Sequence, residues 1–319
     1  MSTIVVDGHR FNTVPRESVL DCLLRHGLSI PYSCRSGVCQ TCLVRLVAGK
    51  IPANAQKGLR ETQKIQNYFL PCACLAEEDI EIALSDSAPA KTTTRVLEKS
   101  LLAPNIMRLR LAVPTAFAYE PGQYVNLHLP QQGMRSYSLA SLPEQDNFLE
   151  FHIALKKGGK ISPWIHTQLL PGDRVEISLP MGECFYIDHH LEQPLLLIGT
   201  ISGLAPLYGV LRRALQRGHR GPIWLYHGSH NREGLYLMEE LTRLCNRHPN
   251  FSYRPCSSQE KLPVPFLHGR ASELALAQHT HLSGWRLYMC GNAEMVNTAR
   301  LAAFLAGASL QEIHCDSFL

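Results

Sequence analysis

The sequence predicts a chain of three domains: an α+β domain, then an antiparallel β-barrel, then an α/β domain with a parallel sheet. With 319 residues, the chain is too long for one ordinary domain. Short apolar strands separated by Pro-Gly turns fill its middle part, whereas strands alternate with helical patterns in its last part. The small polar residues Ser85 to Thr94 predict a linker. We therefore place domains at 1–88, 94–191 and 192–319.

Composition excludes several classes of protein. Hydrophobic residues make up 45% and charged residues 18%, an ordinary globular balance. The net charge of +4 is small, and no basic block supports a nucleic-acid groove. The N-terminus lacks a signal-peptide pattern, and no apolar run approaches the ~20 residues of a membrane helix. We therefore expect a cytoplasmic protein with neither a membrane nor a nucleic-acid partner.

Local patterns predict the elements of the first domain. Asp7-Gly8 between two apolar runs predicts a hairpin, because this pair tolerates the backbone of a tight turn. Helical spacing begins at Val19 and ends at Gly27. Strands are predicted at 43–47 and at 80–84.

Cysteines carry the chemistry of this domain. Cys34, Cys39 and Cys42 form a C-x4-C-x2-C run, the spacing of a plant-type 2Fe-2S loop, in which soft thiolates hold iron. Either Cys72 or Cys74 can supply the fourth sulfur. A zinc site is the alternative, but zinc favours paired C-x2-C spacings and only one is present. The 11 cysteines are odd in number, which argues against a disulfide framework.

Residues 1–84 resemble a plant-type ferredoxin. The resemblance implies a β-grasp fold and Cys72 as the fourth ligand, because that family places it about thirty positions after the third. The sequence departs from the family at Gln40, where glycine is usual.

The middle domain is predicted from strands and turns. Strands are expected at 124–129, 149–155 and 174–179, with Pro-Gly turns before and between them. Ser162-Pro163 predicts the N-cap and first residue of a short helix. The preceding Gly158-Gly159 turn leads into that helix, which is the arrangement of a phosphate site.

The last domain is predicted from buried strands followed by helices. Strands are expected at 195–198, 223–226 and 286–290, with helices at 204–215 and 294–305. The turn from Gly199 to Gly203 follows a buried strand and opens a helix, the context in which dinucleotide pyrophosphates bind.

These motifs together resemble the ferredoxin–NADP reductase superfamily. They are Arg135-Ser136-Tyr137-Ser138, the Gly159 turn, Gly203-Leu204-Ala205-Pro206 and Cys290-Gly291. The resemblance implies that Arg135 pairs with a flavin pyrophosphate, Tyr137 lies against the ring and ribityl chain, and Ser138 lies near the reactive ring nitrogen. The resemblance also implies that the flavin pyrophosphate is held by Gly159, Lys160, Ile161 and Ser162. FAD is favoured over FMN, because the FMN branch carries its ferredoxin at the other end of the chain.

The same resemblance implies a nicotinamide site. The turn residues Gly199, Thr200 and Gly203 would hold the nucleotide, and Cys290 and Gly291 would lie beside the nicotinamide ring. Thr200 and Ile201 stand where the family commonly has two glycines. Arg232 would lie near the adenosine ribose, where arginine favours a 2′-phosphate. Relatives that use NADH also carry arginine near this turn, and we expect NADH as the donor. His227 and His230 are expected to be exposed loop residues, and Phe318 is expected near the flavin.

The three modules predict electron transfer from NAD(P)H through FAD to a 2Fe-2S cluster, with Ser138 and Cys290 as catalytic residues. The domain order resembles the reductase components of multicomponent bacterial oxygenases, which implies a terminal oxygenase as partner. Reductases for deoxysugar dehydratases share the order, and a free-standing flavin or ferric reductase is a second alternative. The cluster domain argues against a free-standing reductase, and the flavin and nicotinamide motifs argue against a redox-sensing or zinc-binding scaffold.

Overall fold

A computed structural model describes residues 2–84, 91–129 and 133–318. The chain divides into two compact units, residues 1–89 and 90–319. The predicted antiparallel domain and the predicted parallel domain belong together in the second unit. The two units are described separately below.

The first unit is a mixed five-stranded sheet with one main helix, as expected of a ferredoxin. Its strand order is β2-β1-β5-β3-β4, with β1 and β5 parallel. The elements are β1 (Thr3–Val6), β2 (His9–Asn12), α1 (Val19–Arg25), β3 (Val44–Ala48), α2 (Glu61–Ile65), β4 (Tyr68–Phe69) and β5 (Ile80–Ala83).

Helix α1 forms where the sequence predicts it. The Ser18 hydroxyl accepts a hydrogen bond from the Asp21 N–H at 3.1 Å, which caps the N-terminus. Val19, Leu20 and Leu23 recur at helical spacing and are fully buried in the core of this unit. The helix therefore anchors the segment that leads into the cysteine loop.

The second unit begins with a six-stranded antiparallel sheet in the order β10-β7-β6-β11-β8-β9. The Ala140 N–H, just after the last of these strands, donates to the Glu150 carbonyl in the first at 2.9 Å, which closes the sheet into a barrel. The elements are β6 (Lys91–Ala103), β7 (Ile106–Ala112), β8 (Tyr124–Leu129), β9 (Gly133–Ser138), β10 (Phe148–Ala154), α3 (Ile161–Thr167) and β11 (Arg174–Ser178).

Two local predictions in this region are wrong. Residues 91–94 were expected in the linker but begin β6, because β-branched threonines suit a strand and pair here with β11. Residues 85–90 of that linker lie outside the described residues. Ser162 was expected as an N-cap, but α3 already begins at Ile161, and the Ser162 hydroxyl accepts instead from the Lys156 N–H at 2.9 Å.

The rest of the second unit is a parallel six-stranded sheet in the order β15-β14-β13-β12-β16-β17. Each consecutive pair of strands is parallel, as predicted from the strand–helix alternation. The order reverses between β12 and β16, the position where such sheets bind ligands. The elements are β12 (Leu195–Thr200), α4 (Leu204–Gln216), β13 (Ile223–Ser229), α5 (Met238–Arg247), β14 (Phe251–Ser257), β15 (Leu267–His268), α6 (Ala271–Gln278), β16 (Arg286–Asn292), α7 (Ala293–Leu305) and β17 (Ile313–Phe318).

Polar contacts join the barrel to the parallel sheet within this unit. Arg213 in α4 is 3% exposed and donates to the Glu144 carboxylate at 2.7 Å. Its neighbour Arg212 donates to Asp146 at 2.6 Å. At the start of β16, the Arg286 guanidinium donates to the Ile187 carbonyl at 3.0 Å. These contacts hold the barrel and the nucleotide domain in one arrangement around the cleft between them.

Candidate functional site

The cysteine loop brings its sulfurs together in two pairs. The Cys34 and Cys39 thiols are exposed. The Cys39 N–H donates to Cys34 Sγ at 3.3 Å, and the Cys34 N–H donates to Cys39 Sγ at 3.5 Å. Hydrogen bonds from Ser36 and from the Cys39 backbone lower the pKa of Cys34 to about 5. The Cys42 thiol is buried and interacts with Cys72, which is partly buried.

This donor set fits a 2Fe-2S cluster, because each of its two irons takes two protein sulfurs. Backbone N–H groups directed at sulfur stabilise the thiolate form that binds iron. Among the residues that the structure describes, no three His, Cys, Asp or Glu side chains converge on one point, and the four thiols are assembled as pairs. The arrangement in pairs therefore favours the cluster over the zinc alternative.

Cys74 has a different environment from Cys72. Its side chain is 1% exposed and packs in the hydrophobic core, and burial raises the pKa of its thiol to about 11. Its carbonyl accepts from the Val19 N–H at 2.8 Å, which ties it to α1. This environment favours a structural role for Cys74 and leaves Cys72 as the candidate ligand.

Gln40 occupies the bend where the ferredoxin family usually has glycine. Its φ of 59° lies in the left-handed region that glycine adopts without strain. Its side-chain amide donates to the Gly58 carbonyl at 3.0 Å. This hydrogen bond offsets part of the backbone cost, so the loop keeps its bend with a larger residue.

A cavity of about 670 Å³ lies in the second unit, between the edge strand β9, the turn before α3 and the last strand β17. It is lined by every residue that the sequence assigns to the flavin. These are Arg135, Tyr137, Ser138, Gly159, Lys160, Ile161, Ser162 and Phe318. Residues that sequence reasoning did not assign also line it, namely Tyr124, Met134, Ser136, His152, Ala154, Lys156, Ser202, Ala205, Cys315, Asp316 and Ser317.

The chemistry of this lining fits FAD. Arg135, Lys156 and Lys160 supply positive charge for a pyrophosphate at the end where α3 begins. Tyr137 and Phe318 supply aromatic surface for a ring system. Burial raises the pKa of Tyr137 to about 12, so its hydroxyl remains a hydrogen-bond donor at neutral pH. A lining with both cationic and aromatic side chains matches a ligand that has a charged pyrophosphate and a flat ring.

Asp316 is the most informative residue that sequence reasoning missed. The Ser138 hydroxyl donates to its Oδ2 at 2.6 Å, and both residues line the cavity. Burial raises the pKa of Asp316 above its ordinary value, against the effect of the Ser138 hydrogen bond. One signal was available, because Asp316 lies two residues before Phe318 and therefore shares its face of a strand.

His152 was also missed. Its Nε2 lies 3.0 Å from Glu150 Oε1 and its Nδ1 lies 3.2 Å from the Tyr236 hydroxyl. Burial opposes ionisation of Glu150, but hydrogen bonds with His152 and Arg110 lower the pKa of Glu150 to about 2. Because an ionised carboxylate only accepts hydrogen bonds, His152 donates from Nε2 to Glu150. Burial lowers the pKa of His152 and keeps its ring neutral, so Nδ1 accepts a hydrogen bond from the Tyr236 hydroxyl. The ring is thereby held in one orientation at the cavity.

The predicted nicotinamide residues meet at the carboxyl ends of the central strands. A Cβ on Gly203 would collide with the Cys290 carbonyl, and a Cβ on Gly291 would collide with the Thr200 hydroxyl. Gly291 also has a φ of 151°, which a larger residue rarely adopts. These glycines allow β12, the turn after it and β16 to approach closely. Ile201, in place of a family glycine, has a left-handed φ of 53°.

Cys290 lies fully buried beneath this turn. Its sulfur is 3.4 Å from the sulfur of Cys184, which belongs to the barrel, and burial raises the pKa of Cys290 well above its usual range. It is not part of the cavity lining, although Ser202 and Ala205 in the adjoining turn are. The Cys290 side chain is therefore a neutral thiol next to the nucleotide turn.

Arg232 and the two histidines lie at the end of β13, apart from the cavity. Arg232 is exposed, with its guanidinium 5.5 Å from the centre of the Phe266 ring. His230 is exposed as expected. The expectation for His227 is wrong, because β13 continues to Ser229 and the rings of Tyr236 and Tyr253 pack against this fully buried side chain. Burial lowers the pKa of His227 to about 3.

Three family descriptions match the chain in the order of its domains. They are "2Fe-2S iron-sulfur cluster binding domain" at residues 4–77, "Oxidoreductase FAD-binding domain" at 93–186 and "Oxidoreductase NAD-binding domain" at 197–301. The chain is 32% identical over 315 residues to the ferredoxin–NAD(P)+ reductase component of the naphthalene 1,2-dioxygenase/salicylate 5-hydroxylase systems of Ralstonia sp, covering 96% of this chain and 95% of that protein. The chain belongs to the family of ferredoxin–NAD(P)+ reductase components of oxygenase systems.

Other members of this reductase family match over the same length. Terephthalate 1,2-dioxygenase reductase component 1 of Comamonas sp is 31% identical over 317 residues, which cover 97% of this reductase and 94% of the relative. The crystal structure of the Amycolatopsis cytochrome P450 reductase GcoB is 29% identical, with a TM-score of 0.70 and coverage of 100% of this chain and 99% of that one.

These findings confirm the central predictions from the sequence. The reductase carries 2Fe-2S, FAD and NAD(P) domains and passes electrons from NAD(P)H through FAD to the cluster. Membership of the family implies an oxygenase as its partner. None of the described helices combines the length and the apolar character needed to cross a membrane.

Proposed function

We propose that this reductase passes electrons from NADH to a terminal oxygenase that acts on aromatic compounds. One observation carries the electron transfer in this proposal: the predicted flavin residues and the last strand of the nucleotide domain, β17, line the same cavity. Relatives named for naphthalene, terephthalate and phenol oxygenases support an aromatic substrate for the partner. They favour an oxygenase over a deoxysugar dehydratase as the acceptor. A cytoplasmic location and the domain bounds 1–88, 94–191 and 192–319 belong to the same proposal.

Four thiolates hold the cluster in this proposal. Cys34 with Cys39, and Cys42 with Cys72, supply two sulfurs to each iron. The Cys34 and Cys39 side chains are exposed, so the cluster edge beside them is open to an acceptor.

The barrel residues position the flavin. Arg135 and Lys160 bind its pyrophosphate, with Ser162 and the backbone of Gly159 and Ile161 around it. Tyr137 and Phe318 enclose its ring and exclude water from it. When bound, FAD accepts two electrons together and releases them singly, which a one-electron cluster requires.

The nucleotide residues position the donor. Gly199, Thr200 and Gly203 hold its pyrophosphate, and the Cys290-Gly291 pair lies beside its nicotinamide. Ser138 holds a proton at its Oγ, and Asp316 accepts the hydrogen bond from that oxygen. Because Cys290 is a neutral thiol, it adds no charge beside the nicotinamide.

Anaerobic titration of the purified protein with NADH, and separately with NADPH, tests the proposal. We expect NADH to bleach both the flavin and the iron-sulfur absorbance, with about three electrons taken up in total, two by FAD and one by the cluster. Bleaching of flavin without any iron-sulfur absorbance would contradict the cluster assignment and return zinc to consideration.

A further inference from the structure

Two turns of the nucleotide domain are bonded to each other beyond the carboxyl ends of β13 and β14. The Ser258 N–H donates to the Ser229 carbonyl at 3.0 Å, and the Gln259 N–H donates to the His230 carbonyl at 2.9 Å. The Ser257 hydroxyl donates to the same His230 carbonyl at 3.0 Å. The residues after β14 are therefore held beside the turn at which the sequence places the adenosine ribose.

The Glu260 carboxylate is built into this pair of turns. Its Oε2 accepts the backbone N–H of Arg232 at 2.9 Å. Its own backbone N–H donates to the Ser257 hydroxyl at 3.3 Å. These two bonds fix an exposed negative charge next to the first residue of the short helix Arg232–Gly234.

The side chain of Arg232 is directed elsewhere. The Arg232 guanidinium lies over the Phe266 ring, 5.5 Å from its centre. Glu260 is held by the Arg232 backbone, not by the Arg232 side chain. At this turn a carboxylate is therefore fixed in position, while the arginine is engaged with an aromatic ring.

We propose that Glu260 selects NADH over NADPH, an inference that rests on the proposed function and names its donor. A carboxylate at the ribose accepts a hydrogen bond from the 2′-hydroxyl of NADH. The same carboxylate repels the doubly charged 2′-phosphate of NADPH, because like charges a few ångströms apart oppose each other even in water. Arg232 contributes its backbone to the position of Glu260, and its side chain does not bind a 2′-phosphate.

Calorimetric binding of 5′-AMP and of 2′,5′-ADP to the full-length protein tests this inference without turnover. The two probes differ only in the 2′-phosphate. We expect the wild-type protein to prefer 5′-AMP, and Glu260→Gln to raise the affinity for 2′,5′-ADP on the order of tenfold. The glutamine keeps an oxygen that accepts the Arg232 N–H, and a thermal melt verifies that the variant is folded.

Glu233→Gln is the matched control, because Glu233 is an exposed carboxylate in the same turn. We expect it to leave the ratio of the two affinities unchanged. An unchanged ratio in Glu260→Gln would overturn the inference, as would a wild-type preference for 2′,5′-ADP that is lost in Arg232→Ala. Failure of both probes to bind the wild-type protein, together with no bleaching by NADH or NADPH, would instead overturn the proposed function.

Discussion

The Ser138 hydroxyl lies 2.6 Å from Asp316 Oδ2, although 178 positions separate the two residues in the chain. Ser138 ends the edge strand of the barrel, and Asp316 lies in the last strand of the parallel sheet. Both residues line the flavin cavity, and their hydrogen bond joins the barrel wall of this cavity to the wall that the nucleotide domain supplies. It thereby links the proposed flavin contact to a carboxylate that the motif analysis did not identify.

We predict that Asp316→Ala slows flavin reduction by NADH by roughly a hundredfold, because the Ser138 hydroxyl would lose the hydrogen bond that orients it beside the flavin. Anaerobic stopped-flow absorbance of the FAD-loaded protein measures this rate. Asp188→Ala is the control, since Asp188 is a half-exposed carboxylate of the barrel domain that pairs with Arg217 at 3.8 Å. A rate in Asp316→Ala equal to that of the control would rule out this role.

The raised pKa of Asp316 also predicts how stability depends on pH. The native state holds this proton more tightly than the unfolded state, whose pKa is near the ordinary 3.8. The contribution of Asp316 to stability is therefore present at acidic pH and is lost as pH rises through its native pKa. We expect Asp316→Asn, which cannot ionise, to melt at a higher temperature than the wild-type protein at neutral pH.

This advantage of Asp316→Asn should shrink as the pH falls towards and below the ordinary pKa of 3.8, because the native Asp316 carboxyl is then increasingly protonated. Thermal melts of the two proteins across the pH range measure the difference. A difference in melting temperature that stays constant with pH would show that ionisation of Asp316 is not responsible.

Arg135→Ala should weaken FAD binding by about ten- to a hundredfold, the loss expected when a charged hydrogen bond to phosphate is removed. Equilibrium dialysis of the flavin-depleted protein with added FAD measures the dissociation constant. Arg174→Ala is a matched control, because Arg174 is an exposed strand arginine of the same barrel outside the cavity lining. Equal FAD affinity in the two variants would refute the pyrophosphate role of Arg135.

Cys72→Ala should abolish incorporation of the cluster, whereas Cys74→Ala should retain it. Cys74 lies in the hydrophobic core, so its truncation lowers the free energy of unfolding by about 1 kcal/mol. It removes no ligand of the cluster. Iron and labile sulfide per chain, measured beside the visible absorbance, distinguish the two variants. The reverse pattern would assign the fourth ligand to Cys74.

Much of the fold could be predicted from local sequence patterns. The hairpin at Asp7-Gly8, helix α1 and the alternation of strands and helices in the last domain depend on spacing and turn chemistry within a few residues. Predictions failed where a distant partner decides the outcome. Residues 91–94 look like a linker until β11 supplies a strand to pair with, and His227 looks exposed until neighbouring tyrosines cover it.

The sequence alone determined the C-x4-C-x2-C run of Cys34, Cys39 and Cys42, the flavin motif and the order of the three modules, because each motif consists of residues close together in the chain. Only the tertiary structure decided that Asp316 reaches Ser138 and that Glu260 reaches Arg232. Both contacts join segments that are far apart in the chain and that the strand order brings together, and no local spacing encodes which segments meet. A carboxylate in a terminal strand or an exposed turn has no distinctive pattern of its own, and its role follows from the side chains that the fold places beside it.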